Sequence, residues 1–158
     1  MLKDALQKLV GQKETLKSYD ILRLQAKTYR LMRYMVDRLL KEHNLKTLDW
    51  SILGLLDARK EGMRFTEIAR EMGVEPPFIT ELISKLEKKS IVTSKDNPQD
   101  RRAKLIELTK KGQKKVEEIE KQLYTSMSEF LKEISSNEVA TYKNVMNKME
   151  TLLEKITL

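Results

Sequence analysis

The sequence has no cysteine, which excludes disulfides, thiolate zinc sites and thiol-based redox sensing. It has 1 histidine, His43, so a multi-histidine transition-metal site is not expected, and a lone histidine near a helix end reads as a cap or surface group. Glycine and proline are scarce, at 5 and 3 residues, and helix should therefore dominate. No stretch approaches the roughly 20 apolar residues of a membrane span, and no signal-peptide pattern opens the sequence. The expectations are no membrane partner and a cytoplasmic location. A phosphate-cradling glycine loop, a nucleophile–base pair and a recognisable pair of carboxylates are also missing, so neither an enzyme nor a bound cofactor is expected.

What is present is charge. Of the 158 residues, 35% are charged, with a formal net charge of +7 and a pI of about 9.5. That balance favours a polyanionic partner, nucleic acid or an anionic membrane. Residues 85–104 concentrate the excess, with seven Lys/Arg against three Asp/Glu, whereas 113–158 is nearly neutral, with seven against eight. The length suits one domain, or one domain with a dimerisation arm.

Apolar periodicity orders the chain. A first helical segment runs from Leu2 to about Leu16, interrupted at Gly11. A longer amphipathic helix follows from Tyr19 to Glu42, with Leu22, Tyr29, Met32, Met35, Val36 and Leu39 on one stripe, and Asn44 closes it. Thr47 reads as the N-cap of a short helix through Trp50 and Leu56, with Asp49 in its first turn. After Gly62, Met63 to Phe65 forms a short strand and Thr66 starts the next helix. Ile91–Lys95 and Ala103–Leu108 are strand-like; Ala103 and Leu105, with either Ile91 or Thr93, alternate with polar or opposite-facing positions. Residues 96–100 are turn formers, too many for a tight hairpin turn. Thr109 caps a long helix carrying Val116, Ile119, Leu123, Met127, Phe130 and Ile134. Ser135 with Glu138 forms a capping box for a last helix carrying Val139, Val145, Met149, Leu152, Leu153 and Ile156.

Residues 66–86 hold a helix-turn-helix pattern. Ala69 is small enough for a close helix crossing, Gly73 supplies a positive φ at the turn, and Ile79 fills the angle between the helices. Ile68, Met72, Val74, Leu82, Ile83 and Leu86 complete the apolar set. The second helix, about Pro76 to Lys89, would offer Pro77, Phe78, Thr80, Glu81, Ser84 and Lys85 to a major groove, with Thr66 at the start of the first. Thr80 and Ser84 can bond base edges or phosphate. Glu81 either accepts from a cytosine amino group, gates electrostatically, or pairs with Lys85 one turn on. Phe78 either presses on a thymine methyl or belongs to the core. In the hairpin, Ser94, Lys95, Asp100, Arg101 and Arg102 flank the loop. An arginine there suits a narrow minor groove, and Asp100 can hold a guanidinium in place. The alternative is a surface salt bridge of little energetic consequence.

The stretch Asp100-Arg101-Arg102-Ala103-Lys104-Leu105-Ile106-Glu107-Leu108-Thr109-Lys110-Lys111-Gly112 resembles the wing signature of the MarR family, an Asp-x-Arg, a strand, then Leu-Thr-x-x-Gly. The likeness extends upstream through Leu86-Glu87-Lys88-Lys89 and Asn97-Pro98 and, with the flanking helices, over nearly the whole chain. It implies a mainly α fold with a small β-wing: a winged helix-turn-helix at 46–109, between N-terminal (1–45) and C-terminal (110–158) helices that form a dimerisation arm. It further implies a homodimer that binds a pseudo-palindrome in double-stranded DNA and usually represses. Asp100 and Arg102 would be the wing pair, with Arg101 beside the DNA backbone. Such proteins commonly release DNA when a small aromatic or lipophilic acid binds between arm and winged helix, and Tyr29, Arg33, Tyr34 and Trp50 are placed to take such an anionic effector, or else are core aromatics and a surface arginine. This chain departs from the pattern at Glu75, Pro76, Pro77 and Phe78, where Ser or Thr is usual; at Ser94, usually basic; and at Ser90, usually Gly. The alternatives in function are a winged-helix module that binds protein through Pro77 and Phe78, or an architectural protein that binds DNA without sequence preference.

Overall fold

The computed structural model describes residues 17–98 and 100–157. The helical segment expected before Leu16 lies outside them. The described elements are α1 (Ser18–Glu42), α2 (Thr47–Ala58), β1 (Met63–Arg64), α3 (Phe65–Met72), α4 (Pro76–Lys88), β2 (Val92–Asn97), β3 (Asp100–Leu108), α5 (Lys110–Leu131) and α6 (Ser136–Thr157). The three strands form one antiparallel sheet in the order β1-β3-β2. The chain divides into two compact units after Val116, a division that α5 crosses.

In the first unit α1 packs on α2, α2 on α3 and β3, α3 on α4, and α4 on β2. Leu40, Ile52, Leu53, Leu56, Met63, Ile68, Ile79, Ile83, Leu86 and Ile106 are wholly or almost wholly buried there. Each such side chain contributes about 1.5–3 kcal/mol relative to exposure. Helical spacing dictates who is buried: in α4 the positions 79, 82, 83 and 86 form the inner stripe. In the second unit Ile119 and Leu123 of α5 are buried. Ser135 and Glu138 form the expected capping box at α6: Ser135 donates its N–H (2.8 Å) and hydroxyl (2.7 Å) to the carboxylate, and its oxygen accepts the Glu138 N–H at 3.3 Å.

Several local expectations shift. The N-cap of α2 is Lys46, not Thr47, and Asp49 accepts the Lys46 N–H at 2.9 Å. The Thr47 hydroxyl is drawn away by the Asp37 carboxylate of α1, to which it donates at 2.5 Å. Helix α3 begins at Phe65 rather than Thr66, because Glu67 accepts the Arg64 N–H at 2.7 Å and sets the cap one residue earlier than Thr66 would. Ile134 lies beyond the end of α5 at Leu131. In the sheet, Ile106 is buried with Val92, whereas Ala103 and Leu105 are half-buried. Strand pairing also runs further than the turn formers suggested. Asn97 pairs with Asp100, so β2 and β3 come within two residues of meeting. Asn44 takes the left-handed conformation expected of it, at φ 54°, and so does Ser90, at φ 57°.

Candidate nucleic-acid interface

Helix α3 stops because Gly73 adopts φ 63°, with its N–H on the Arg70 carbonyl (3.1 Å) and the Val74 N–H on that of Ala69 (3.0 Å). The chain reverses and α4 starts at once, with Pro76 and Pro77 in its first turn, where φ is preset and no intrahelical N–H bond is lost. Ala69 and Ile79 are buried at the crossing of the two helices. That packing turns Pro77, Phe78, Thr80, Glu81, Ser84 and Lys85 outward, and all six are exposed. Phe78 is 40% exposed, so it is a surface residue and not part of the core. Thr66, in the first turn of α3, is exposed too.

Three polar groups on this face are already engaged. Thr80 donates its hydroxyl to the Pro76 carbonyl at 3.1 Å, leaving an oxygen lone pair as its outward function. The Lys85 ammonium lies 2.5 Å from the Glu81 carboxylate. That hydrogen bond, with the charge of Lys85, holds the Glu81 carboxyl below the usual carboxylate range, so it is ionised at neutral pH. Exposed pairs of this kind are energetically slight and can be exchanged for phosphate.

The wing is irregular in a way that matters. Asp96 pairs with Lys104 and Asn97 with Asp100, so one step along β2 is matched by four along β3. The extra residues, 101–103, carry the Arg-Arg of the motif. A bulge re-aims the side chains on it and sharpens the local twist. Asn97 is buried at this point and Asp100 half-buried. The side chains of Arg101 and Arg102 lie outside the described set. Ser94 donates its hydroxyl to Glu87 of α4, joining wing to helix. Lys95 pairs with Glu107, and Lys104 with Asp96 at 2.5 Å. Glu87, Glu107, Asp96 and Lys104 were not singled out from the sequence. The pairs within the wing depend on strand register, which sets Thr93 opposite Glu107 and Asp96 opposite Lys104, and the Glu87 bond depends on how α4 packs against β2.

Of the residues expected to take an effector, three lie on α1 and one on α2. Tyr29 and Tyr34 are exposed on α1, Arg33 donates to Asp37 at 3.3 Å, and Trp50 is half-buried on α2. A cavity of about 680 Å³ lies elsewhere, between the α2–β1 turn and the end of the wing, lined among others by Arg59, Lys60, Arg64, Glu67, Asn97 and Pro98. None of the four lines it. Among the described residues no cluster of three or more acidic or histidine side chains is placed to hold a metal ion, and no helix is long and apolar enough to cross a membrane.

Known proteins share this architecture. The model of the MarR family matches residues 46–104, from the N-cap of α2 into the wing. The transcriptional regulator PA3341 is 30% identical, with 85% of this chain and 98% of that one covered and a TM-score of 0.75. MepR of S. aureus, solved in complex with DNA, is 26% identical over 89% of this chain and 99% of its own, with a TM-score of 0.70. CouR from Rhodococcus jostii RHA1, solved with p-coumaroyl-CoA, is 25% identical over 90% and 95%, with a TM-score of 0.71. By its helix-turn-helix, its wing and these likenesses, the chain belongs to the MarR family of winged-helix DNA-binding transcriptional regulators.

Proposed function

We propose that this regulator is a homodimeric repressor that binds a pseudo-palindromic operator through α4 and the wing. The observation that carries the reading is the coincidence, in one unit, of an outward α4 face and a β3 bulge holding two consecutive arginines. In this reading the start of α4 enters the major groove, where the Thr80 and Ser84 oxygens and Glu81 meet base edges and Phe78 meets a thymine methyl. Thr66, Ser94, Lys85 and Lys95 approach phosphates. Arg102, steadied by Asp100, enters the adjacent minor groove, and Arg101 lies along the backbone.

Exposed apolar side chains support the dimer. Leu22, Tyr29 and Met32 on α1 and Val139, Leu152, Leu153 and Ile156 on α6 are all at least 40% exposed. Each of these helices, taken by itself, leaves a run of large apolar side chains in water that calls for a cover. A second copy supplies the cover, with 1–45 and 110–158 as the arm and 46–109 as the DNA-binding domain. Two reading helices then lie roughly 34 Å apart, one turn of B-form DNA. MepR's solved complex with DNA supports the choice of partner.

Release by a small aromatic or lipophilic acid is part of the proposal. Tyr29, Arg33, Tyr34 and Trp50 supply aromatic faces and one cation, and CouR was solved with a ligand of related chemistry. A thermal-shift screen of aromatic acids, read together with DNA affinity, tests this part. The exposed, apolar start of α4 at Pro77 and Phe78 favours a second reading, in which the face binds protein. Selecting bound duplexes from a random pool decides between them. Enrichment of inverted repeats with half-sites one helical turn apart supports the operator reading. Enrichment of nothing contradicts it, and leaves protein binding or DNA binding without sequence preference.

A further inference from the structure

The far end of α4, away from the face just described, is tied to two other helices through a relay of lysines. Helix α1 ends in a left-handed turn at Asn44, with the Asn44 N–H on the Lys41 carbonyl and the Leu45 N–H on that of Leu40, each at 3.0 Å. The Asn44 carbonyl accepts the Lys89 ammonium at 2.5 Å. Lys89 is itself the C-cap of α4, and its carbonyl accepts the Lys111 ammonium of α5 at 2.7 Å. The C-terminal ends of α1 and α4 thus each receive a cation from a helix further along the chain, as the helix dipole favours. A second set of bonds fixes the same turn. Thr109 donates its hydroxyl to the Ser90 carbonyl at 2.8 Å and its N–H to the Ile91 carbonyl at 3.0 Å. Lys115, further along α5, meets the His43 Nδ1 at 3.2 Å, closing the junction on the α1 side.

We infer that Lys89 is a positioning residue: it locks the exit of the reading helix to the exit of α1 and, through Lys111 and Thr109, to the start of α5. The inference rests on the dimeric operator reading and deepens it. Helix α1 and the continuation of α5 belong to the proposed arm, so the separation of the two α4 helices follows the arm through this junction. A lysine tie is short and directional, yet it costs little to break. It therefore passes a displacement of α1 or α5 to α4 without adding much to the stability of the fold.

The test is a half-site spacing series. Duplexes carrying two selected half-sites are made with the centre-to-centre distance varied one base pair at a time, alongside a duplex with a single half-site. The full-length protein, Lys89→Met and Lys89→Arg are titrated against each. Methionine keeps the apolar stem and removes the ammonium; arginine keeps a donor. The unsubstituted protein should show one sharp optimum. Lys89→Met should lower the preference for that spacing over its neighbours by roughly tenfold, with single-half-site affinity and melting temperature unchanged. Lys89→Arg should restore most of the preference. A Lys89→Met protein that keeps the full preference overturns the inference. So does an equal loss on the single half-site, which would make Lys89 a DNA contact or a stability residue. If the unsubstituted protein itself shows no optimum, the dimeric operator reading falls and the inference with it. That outcome is distinguishable because it appears before any substitution.

Discussion

Gly112 lies so close to Ile91 that a Cβ placed on it would sit 2.1 Å from the Ile91 carbonyl oxygen. The first turn of α5 therefore rests on the backbone that enters β2, and the obstacle is main chain, which no rotamer change can move. Gly112→Ala should destabilise the fold by about 3 kcal/mol or more, because relief requires the helix to back away from the Lys89–Ser90–Ile91 turn. Chemical denaturation read by circular dichroism checks this.

Ser90 makes the opposite prediction. It holds φ 57° with a side chain that disfavours it, while its carbonyl is the acceptor for Thr109. Ser90→Gly relieves the backbone cost and leaves that acceptor in place. The expected gain is about 1 kcal/mol, seen as a higher denaturation midpoint at constant m-value.

Glu81 and Lys85 neutralise each other on the proposed reading face. Glu81→Gln removes a carboxylate that repels phosphate and frees the lysine. Binding to duplex of arbitrary sequence should tighten at low salt, and the slope of log K against log salt should steepen by about 0.9 for each phosphate newly neutralised per chain. An unchanged slope would place the pair away from DNA.

The bond from Thr47 to Asp37 gives a pH dependence. The Thr47 hydroxyl holds the Asp37 carboxyl below the usual carboxylate range; partial desolvation opposes it, and the Thr47 N–H and Arg33 assist. A depressed folded-state pKa contributes stability that is complete above the unfolded value, about 4, and is lost as pH falls through the folded value. Asp37→Ala should therefore lower stability near pH 7, by on the order of 1 kcal/mol given the partial exposure of the group. The difference from the unsubstituted protein should shrink below about pH 4. Melting curves across that range test the sign.

The helices were legible in the sequence because 3.6-residue periodicity survives any arrangement of neighbours, and Gly73 and Asn44 announced their turns through the conformation only such residues adopt readily. The wing was legible as a hairpin, but its bulge was not. Strand register depends on which residues face each other across two strands, and the turn formers at 96–100 concealed that Asn97 and Asp100 still pair. Thr47 misled for a related reason. Its hydroxyl has a better partner ten residues back in sequence, on another helix, than in its own first turn. The lysine ties among Asn44, Lys89 and Lys111 were invisible in the sequence because each depends on tertiary placement.

In the proposed function two copies of the chain place α4 and the wing on duplex DNA. The direct measurement is a titration of a selected duplex at several salt concentrations, with the mass of the complex determined at saturation, for the unsubstituted protein and for Arg102→Ala. The account predicts two chains per duplex and a loss of affinity of about a thousandfold or more between roughly 50 and 200 mM salt. It also predicts binding weaker by about 1–3 kcal/mol for Arg102→Ala. One chain per duplex, or binding indifferent to salt and to Arg102, would contradict it.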